Sequence, residues 1–159
     1  MNIVSATGHR PQSLPSGSDL TPLILVATDW LKEHKPSTVL SGMALGWDQA
    51  VAIAALQLGL PVHAYVPFNG QNAKWSKRDC EVYSDLLCRC AKVIVVSPGG
   101  YSPEKFKVRN EALVDSCDVV LALWNGEHGS GTGHCVRYAE AEGRPVWNVW
   151  EQYECLVDV

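Results

Sequence analysis

Apolar and polar residues fall in blocks along this chain, and the blocks switch between two periods. Continuous apolar runs at Asn2–Thr7, Thr38–Leu40, Val62–Val66, Lys92–Val96, Val119–Trp124 and Val146–Trp150 predict strands. Runs that are apolar throughout, rather than at every second position, predict strands covered on both faces. Helical spacing fills the gaps. Ser18 or Asp19 caps a predicted helix through about Glu33, with Leu23, Val26, Ala27, Trp30 and Leu31 on one face. Further helices are predicted from Trp47 to Leu58, Asn72 to Cys90, Pro103 or Glu104 to about Cys117, and Gly133 to Glu142. Gly59 closes the first of these and Gly143 the last. The tail after Trp150 is assigned no element. Strand and helix in repeated alternation give a Rossmann-like three-layer α/β sandwich around a mostly parallel sheet of about six strands. No repeat or linker divides residues 1–159, so a single domain is expected.

Composition narrows the partners. The chain is 47% apolar and 19% charged, enough for a sizeable core. Its formal net charge is −4, with no basic tail or stripe, so general nucleic-acid binding through phosphate neutralisation is not expected. No apolar run approaches the roughly 20 residues of a membrane span, and the N-terminus lacks the pattern of a signal peptide. Cys80, Cys88, Cys90, Cys117, Cys135 and Cys155 form no Cys-x-x-Cys pair. Reduced thiols in a cytoplasmic protein are expected, with neither metal nor cofactor implied.

Three loops follow apolar strands and would open on one edge. After the first strand, Gly8, His9 and Arg10 bring an imidazole and a guanidinium suited to phosphate. After the second, Ser41, Gly42 and Gly46 lead into a helix with Asp48 in its first turn. Asp48 fits either the helix dipole or the hydroxyls of a ribose. After the fifth, Gly129, Ser130, Gly131 and Thr132 form a glycine-rich turn able to cradle phosphate, and Thr132 also suits an N-cap. Arg109 either faces this edge or pairs with Glu104 or Glu111 on its own helix. Trp47, Phe68 and Trp75 are candidates for stacking on a base, against the plainer reading that they pack in the core or at its rim. Ser-His-Asp order, His-Glu-x-x-His and a P-loop are all missing from the sequence.

With those motifs in order, the chain resembles the SLOG superfamily, which joins the DprA/Smf proteins, the LOG phosphoribohydrolases and the YpsA-like proteins. Thr7-Gly8-His9-Arg10-Pro11 resembles the YpsA-type opening, and Gly46-Trp47-Asp48 that group's Gly-x-Asp/Glu motif. Arg109 to Thr132 is similar to the LOG segment of Arg, Asp, apolar strand and Pro-Gly-Gly-x-Gly-Thr-x-x-Glu loop. Two departures stand out: Asn125-Gly126-Glu127-His128 replaces the Pro-Gly-Gly start, and the LOG catalytic Glu falls at Cys135.

The resemblance implies a nucleotide or ADP-ribose-like ligand at the carboxyl edge of the sheet, bound for sensing or sequestration, in a homodimer or larger assembly. A rival reading is a nucleoside 5′-monophosphate N-glycosidase using Arg109, Asp48 and Glu111. A third is an interaction module with a vestigial site.

Overall fold

The computed structural model describes residues 2–157. Strands β1 (Ile3–Gly8), β2 (Thr38–Ser41), β3 (Val62–Val66), β4 (Lys92–Val95), β5 (Val119–Leu123) and β6 (Val146–Asn148) form one sheet in the order β4-β3-β2-β1-β5-β6. All five pairings are parallel. Helices α1 (Thr21–His34), α2 (Trp47–Gln57), α3 (Lys77–Arg89), α4 (Pro103–Asp115), α5 (Gly131–Ala141) and α6 (Trp150–Val157) complete the chain. The fold is therefore an α/β three-layer sandwich of Rossmann-like design.

The two helical layers explain the two cores. Leu23, Val26, Ala27, Trp30 and Leu31 of α1 and the alanine-rich face of α2 pack with Val4, Ala6, Val39, Val62 and Ala64 on one face of the sheet. Leu113, Val114, Cys135, Val136 and Ala139 of α4 and α5 pack with Leu40, Val120 and Ala122 on the other. Central β1 and β5 are buried because both layers cross them; every β5 residue is buried. Cover on both faces fails at the edges. All four β4 residues are exposed, with Val93 at 47%, because β4 has a neighbour on one side only, α4 packs over β1 and β3, and α3 packs against α2.

Other element boundaries differ from expectation for local reasons. Helix α3 starts at Lys77, where Ser76 Oγ accepts from the Asp79 amide; Asn72 to Trp75 belong to a turn. Helix α4 ends at Asp115 and β6 at Asn148. The unassigned tail is helical: Asn148 Oδ1 accepts from the Trp150 amide, and Tyr153 is fully buried against the first core, its hydroxyl bonded to Ser16. The last two residues of that tail lie outside the described residues.

The chain builds outward from β1 to β4, then returns past β1 to place β5 and β6 on the other side. Strands β1 and β5 thus flank the point where winding reverses. In open parallel sheets the crevice beyond the carboxyl ends of such strands is where ligands sit, since the loops there diverge to opposite faces.

Candidate functional site

A cavity of about 310 Å³ occupies that crevice. The end of β1 supplies Thr7, Gly8, His9 and Arg10; the loop into α2 supplies Ala44 and Asp48; the start of α5 supplies Ser130, Gly131 and Thr132; and α4 supplies Phe106, Arg109 and Asn110. Gln12 and Ser13, in a 3-10 turn at Pro11–Ser13, complete the rim. The three loops singled out from sequence therefore meet in space.

The β2–α2 loop is held rigidly. Ser41 is fully buried; its Oγ donates to the Asp48 carbonyl at 2.8 Å and accepts from the Met43 amide at 3.1 Å. Met43 adopts a left-handed φ of 60°, a conformation costly for a side-chain-bearing residue, and Gln49 Nε2 ties down its carbonyl at 3.2 Å. Gly46 follows with φ 96°, and a Cβ there would meet the His9 carbonyl at 2.6 Å. Two site loops touch at Gly46, which only glycine allows. Ser41, Gly42 and Gly46 shape the loop and stand behind the cavity wall.

Arg109 is 3% exposed and points inward from α4. Its Nη1 donates to the carbonyls of Gly42 at 2.8 Å and Tyr65 at 3.3 Å, and its Nε to Asn110 Oδ1 at 2.9 Å. Its donors thus go to these oxygens and not to Glu104 or Glu111. Glu111 is half-buried and off the cavity wall. A Cβ on Gly42 would lie 2.5 Å from Arg109 Nη1, so this glycine makes room for the guanidinium. Phe106, one turn before Arg109, lies under both cations: Arg10 Cζ is 5.4 Å and Arg109 Cζ 6.0 Å from its ring centroid.

Asp48 is 7% exposed, and its Oδ1 is buried without a hydrogen-bond partner. Burial pushes its pKa up to about 6, against the pull of Arg109 and Arg10. His9 is held below its ordinary pKa by burial. The Asn125 amide donates to its Nε2 at 3.1 Å, which fixes a neutral ring with the proton on Nδ1. With Asp48 ionised, the two guanidiniums still leave the cavity net positive, and the first turn of α5 adds amide donors. Ser130, not Thr132, is the N-cap of α5: its Oγ accepts from the Gly133 amide at 3.0 Å. The amides of Gly131 and Thr132, the first of the helix, have no carbonyl one turn back. Gly129 lies outside this cavity, in an exposed part of the loop.

The three aromatic candidates do not gather here. Trp47 is fully buried in the first core, its Nε1 donating to the Leu121 carbonyl at 3.2 Å. Phe68 is 2% exposed and meets Tyr101 and Phe106 edge-on. Trp75 packs against Tyr83 at 5.2 Å. Each follows a strand, but its ring turns back to apolar neighbours. Phe106 and Asn110 were missed, although their spacing with Arg109 puts all three along one side of α4. Cys135 is 2% exposed, and burial raises its thiol to about 11, so it is a neutral core residue.

The fold and the crevice define a Rossmann-like α/β protein with a cavity, lined by Arg10 and Arg109, at the switch point of its sheet. The chain belongs to the YspA SLOG family (YpsA), whose profile matches residues 25–146. It is 26% identical over 156 residues to the SPbeta prophage-derived protein YoqJ of Bacillus subtilis, covering 86% of this chain and 90% of that protein. Among solved structures it is similar to DNA processing protein A from Helicobacter pylori, with a TM-score of 0.66 and 20% identity over 91% of this chain and 63% of the other. The molybdenum cofactor carrier protein of Chlamydomonas reinhardtii aligns with a TM-score of 0.61 and 16% identity over 98% and 82%.

One expectation is corrected by these neighbours. The Helicobacter pylori protein, which shares this fold, is described by its single-stranded DNA binding mode, so the expectation against nucleic acid does not stand. A net charge of −4 over the whole chain does not exclude it, because two guanidiniums in one crevice set the local field there. Among the described residues no helix is long and apolar enough to cross a membrane.

Proposed function

We propose that this protein binds a nucleotide or ADP-ribose-like molecule in the switch-point cavity, as a sensor or sequestering protein. The observation that carries the reading is the pairing of two guanidiniums with the buried carboxyl of Asp48, whose Oδ1 has no partner among the described residues, in one cavity of about 310 Å³. Arg10 and the Gly131 and Thr132 amides receive phosphate, and Asp48 takes ribose hydroxyls that donate to its free oxygen. Its six free cysteines support a cytoplasmic setting.

Arg10 is exposed and, among the described residues, makes no ion pair, its one aromatic contact being with Phe106, so its removal tests the site with little effect on the fold. Arg10→Ala is expected to leave the melting temperature unchanged and to weaken AMP binding about tenfold or more by titration calorimetry. Equal AMP affinity in both proteins would remove Arg10 from the phosphate site.

A second reading, N-glycoside cleavage of a nucleoside 5′-monophosphate, is favoured by one observation: a carboxyl with pKa about 6 serves as general acid or base near neutrality. Incubation with nucleoside monophosphates and chromatography for free base decides it. Bound but intact AMP retains the first reading; released adenine establishes the second. The position matching the LOG glutamate holds the buried, neutral Cys135, so Asp48 would have to carry the acid–base step.

A further inference from the structure

A second cavity of about 330 Å³ opens between α4 and α5. It shares Phe106, Asn110, Ser130 and Gly131 with the switch-point cavity, so the two are compartments of one groove divided by the start of α5. Its ionisable lining is one-sided. Lys107 comes from α4, His128 from the preceding loop, and His134 and Arg137 from one face of α5, while no acidic residue lines it among the described residues. In a chain of net charge −4 that concentration of bases is local and specific.

Two details point to an anion between the helices. His134 lines the cleft, and its Nε2 is buried with no hydrogen-bond partner among the described residues. A buried ring nitrogen without a partner is a group whose hydrogen bond is still to be made. Arg137 Nη1 donates to the His128 carbonyl at 2.6 Å. That bond holds the guanidinium beside the glycine loop, and its remaining N–H groups have no partner among the described residues. Lys107 is exposed on the opposite wall and able to swing across.

We infer that this cleft is a second anion subsite, built from Lys107, His134 and Arg137, and that the ligand is a nucleotide carrying two phosphate groups, one on each side of the Ser130–Gly131 partition. The inference rests on the nucleotide reading given above and narrows it. One phosphate meets Arg10 and the α5 amides. The other meets the ammonium, the imidazole and the second guanidinium. A mononucleotide fills the first compartment only.

The test is calorimetric titration of the intact protein with AMP, ADP and adenosine 3′,5′-bisphosphate. At least one two-phosphate nucleotide is expected to bind about tenfold more tightly than AMP. Lys107→Ala combined with His134→Ala removes that gain while AMP affinity stays within about twofold. Arg10→Ala weakens all three. No gain from a second phosphate, or a gain that survives the double variant, overturns the inference. If none of the nucleotides binds, the nucleotide reading itself fails, and inorganic pyrophosphate then decides the cleft alone. Movement of the His134 imidazole resonances on its addition, abolished in Lys107→Ala, retains the anion subsite; unmoved resonances overturn it.

Discussion

Gly8→Ala is expected to destabilise the protein by about 3 kcal/mol, a loss of roughly 10 °C in melting temperature. A Cβ on Gly8 would stand 2.5 Å from Trp47 Cγ and 2.6 Å from Trp47 Cβ. These atoms are next to the α2 backbone, so no rotamer change clears them. Nor does the ring have room to leave: Trp47 is fully buried and its indole N–H is spent on the Leu121 carbonyl of β5. The methyl group must push β1 and α2 apart at the end of the sheet where the cavity begins. Ligand binding should fall with stability, since Gly8 and Asp48 both line that cavity. Thermal and urea denaturation measure the effect. A loss below about 1 kcal/mol would show that the β1–α2 contact adjusts without strain. The same contact makes Trp47 a packing residue: it sets the distance between the first loop and the second, and leaves no ring face for a base.

The central sheet and the convergence of three loops were readable from the chain, because both rest on periodicity and order. Buried strands such as Val119–Leu123 are apolar throughout, and five such residues between two helical patterns are too short for a helix and too apolar for a loop. Features set by long-range contacts were not readable. The exposure of β4 follows from which helices cross it, and Val93 looks in sequence like any core valine. Helix α6 depends on a tyrosine burying itself beside α1 and reaching Ser16, 137 positions away. The aromatic candidates went astray for the same reason. A tryptophan after a strand points to a ligand or to the core according to what stands opposite, and opposite Trp47 stands Gly8. Arg109 was the reverse case, since sequence offered two orientations and the missing side chain at Gly42 selects the inward one.

Asp48→Asn is expected to stabilise the protein, by an amount that grows as pH rises from about 4 to about 6 and is level above that. The carboxyl has its pKa raised from 3.8 to about 6, with burial the main cause. Between those values the folded protein keeps a proton that the unfolded chain has released. Stability therefore declines as pH rises from about 4 to about 6 and is level above that. The amide of the variant carries no charge and fits the same volume, so it escapes the penalty. The gain should approach about 3 kcal/mol at pH 8 and vanish near pH 4. Urea denaturation of both proteins at the two pH values measures it. A variant less stable than the parent at pH 8 would show that the carboxylate is satisfied where it stands. The expected sign has a functional meaning. A charge held at a cost, beside two guanidiniums and with one oxygen unbonded, contributes little to the fold and is accounted for by what it binds. Affinity for a ribose-bearing ligand should accordingly weaken in the parent as pH falls through 6 and the carboxylate takes up its proton, and should stay flat in Asp48→Asn.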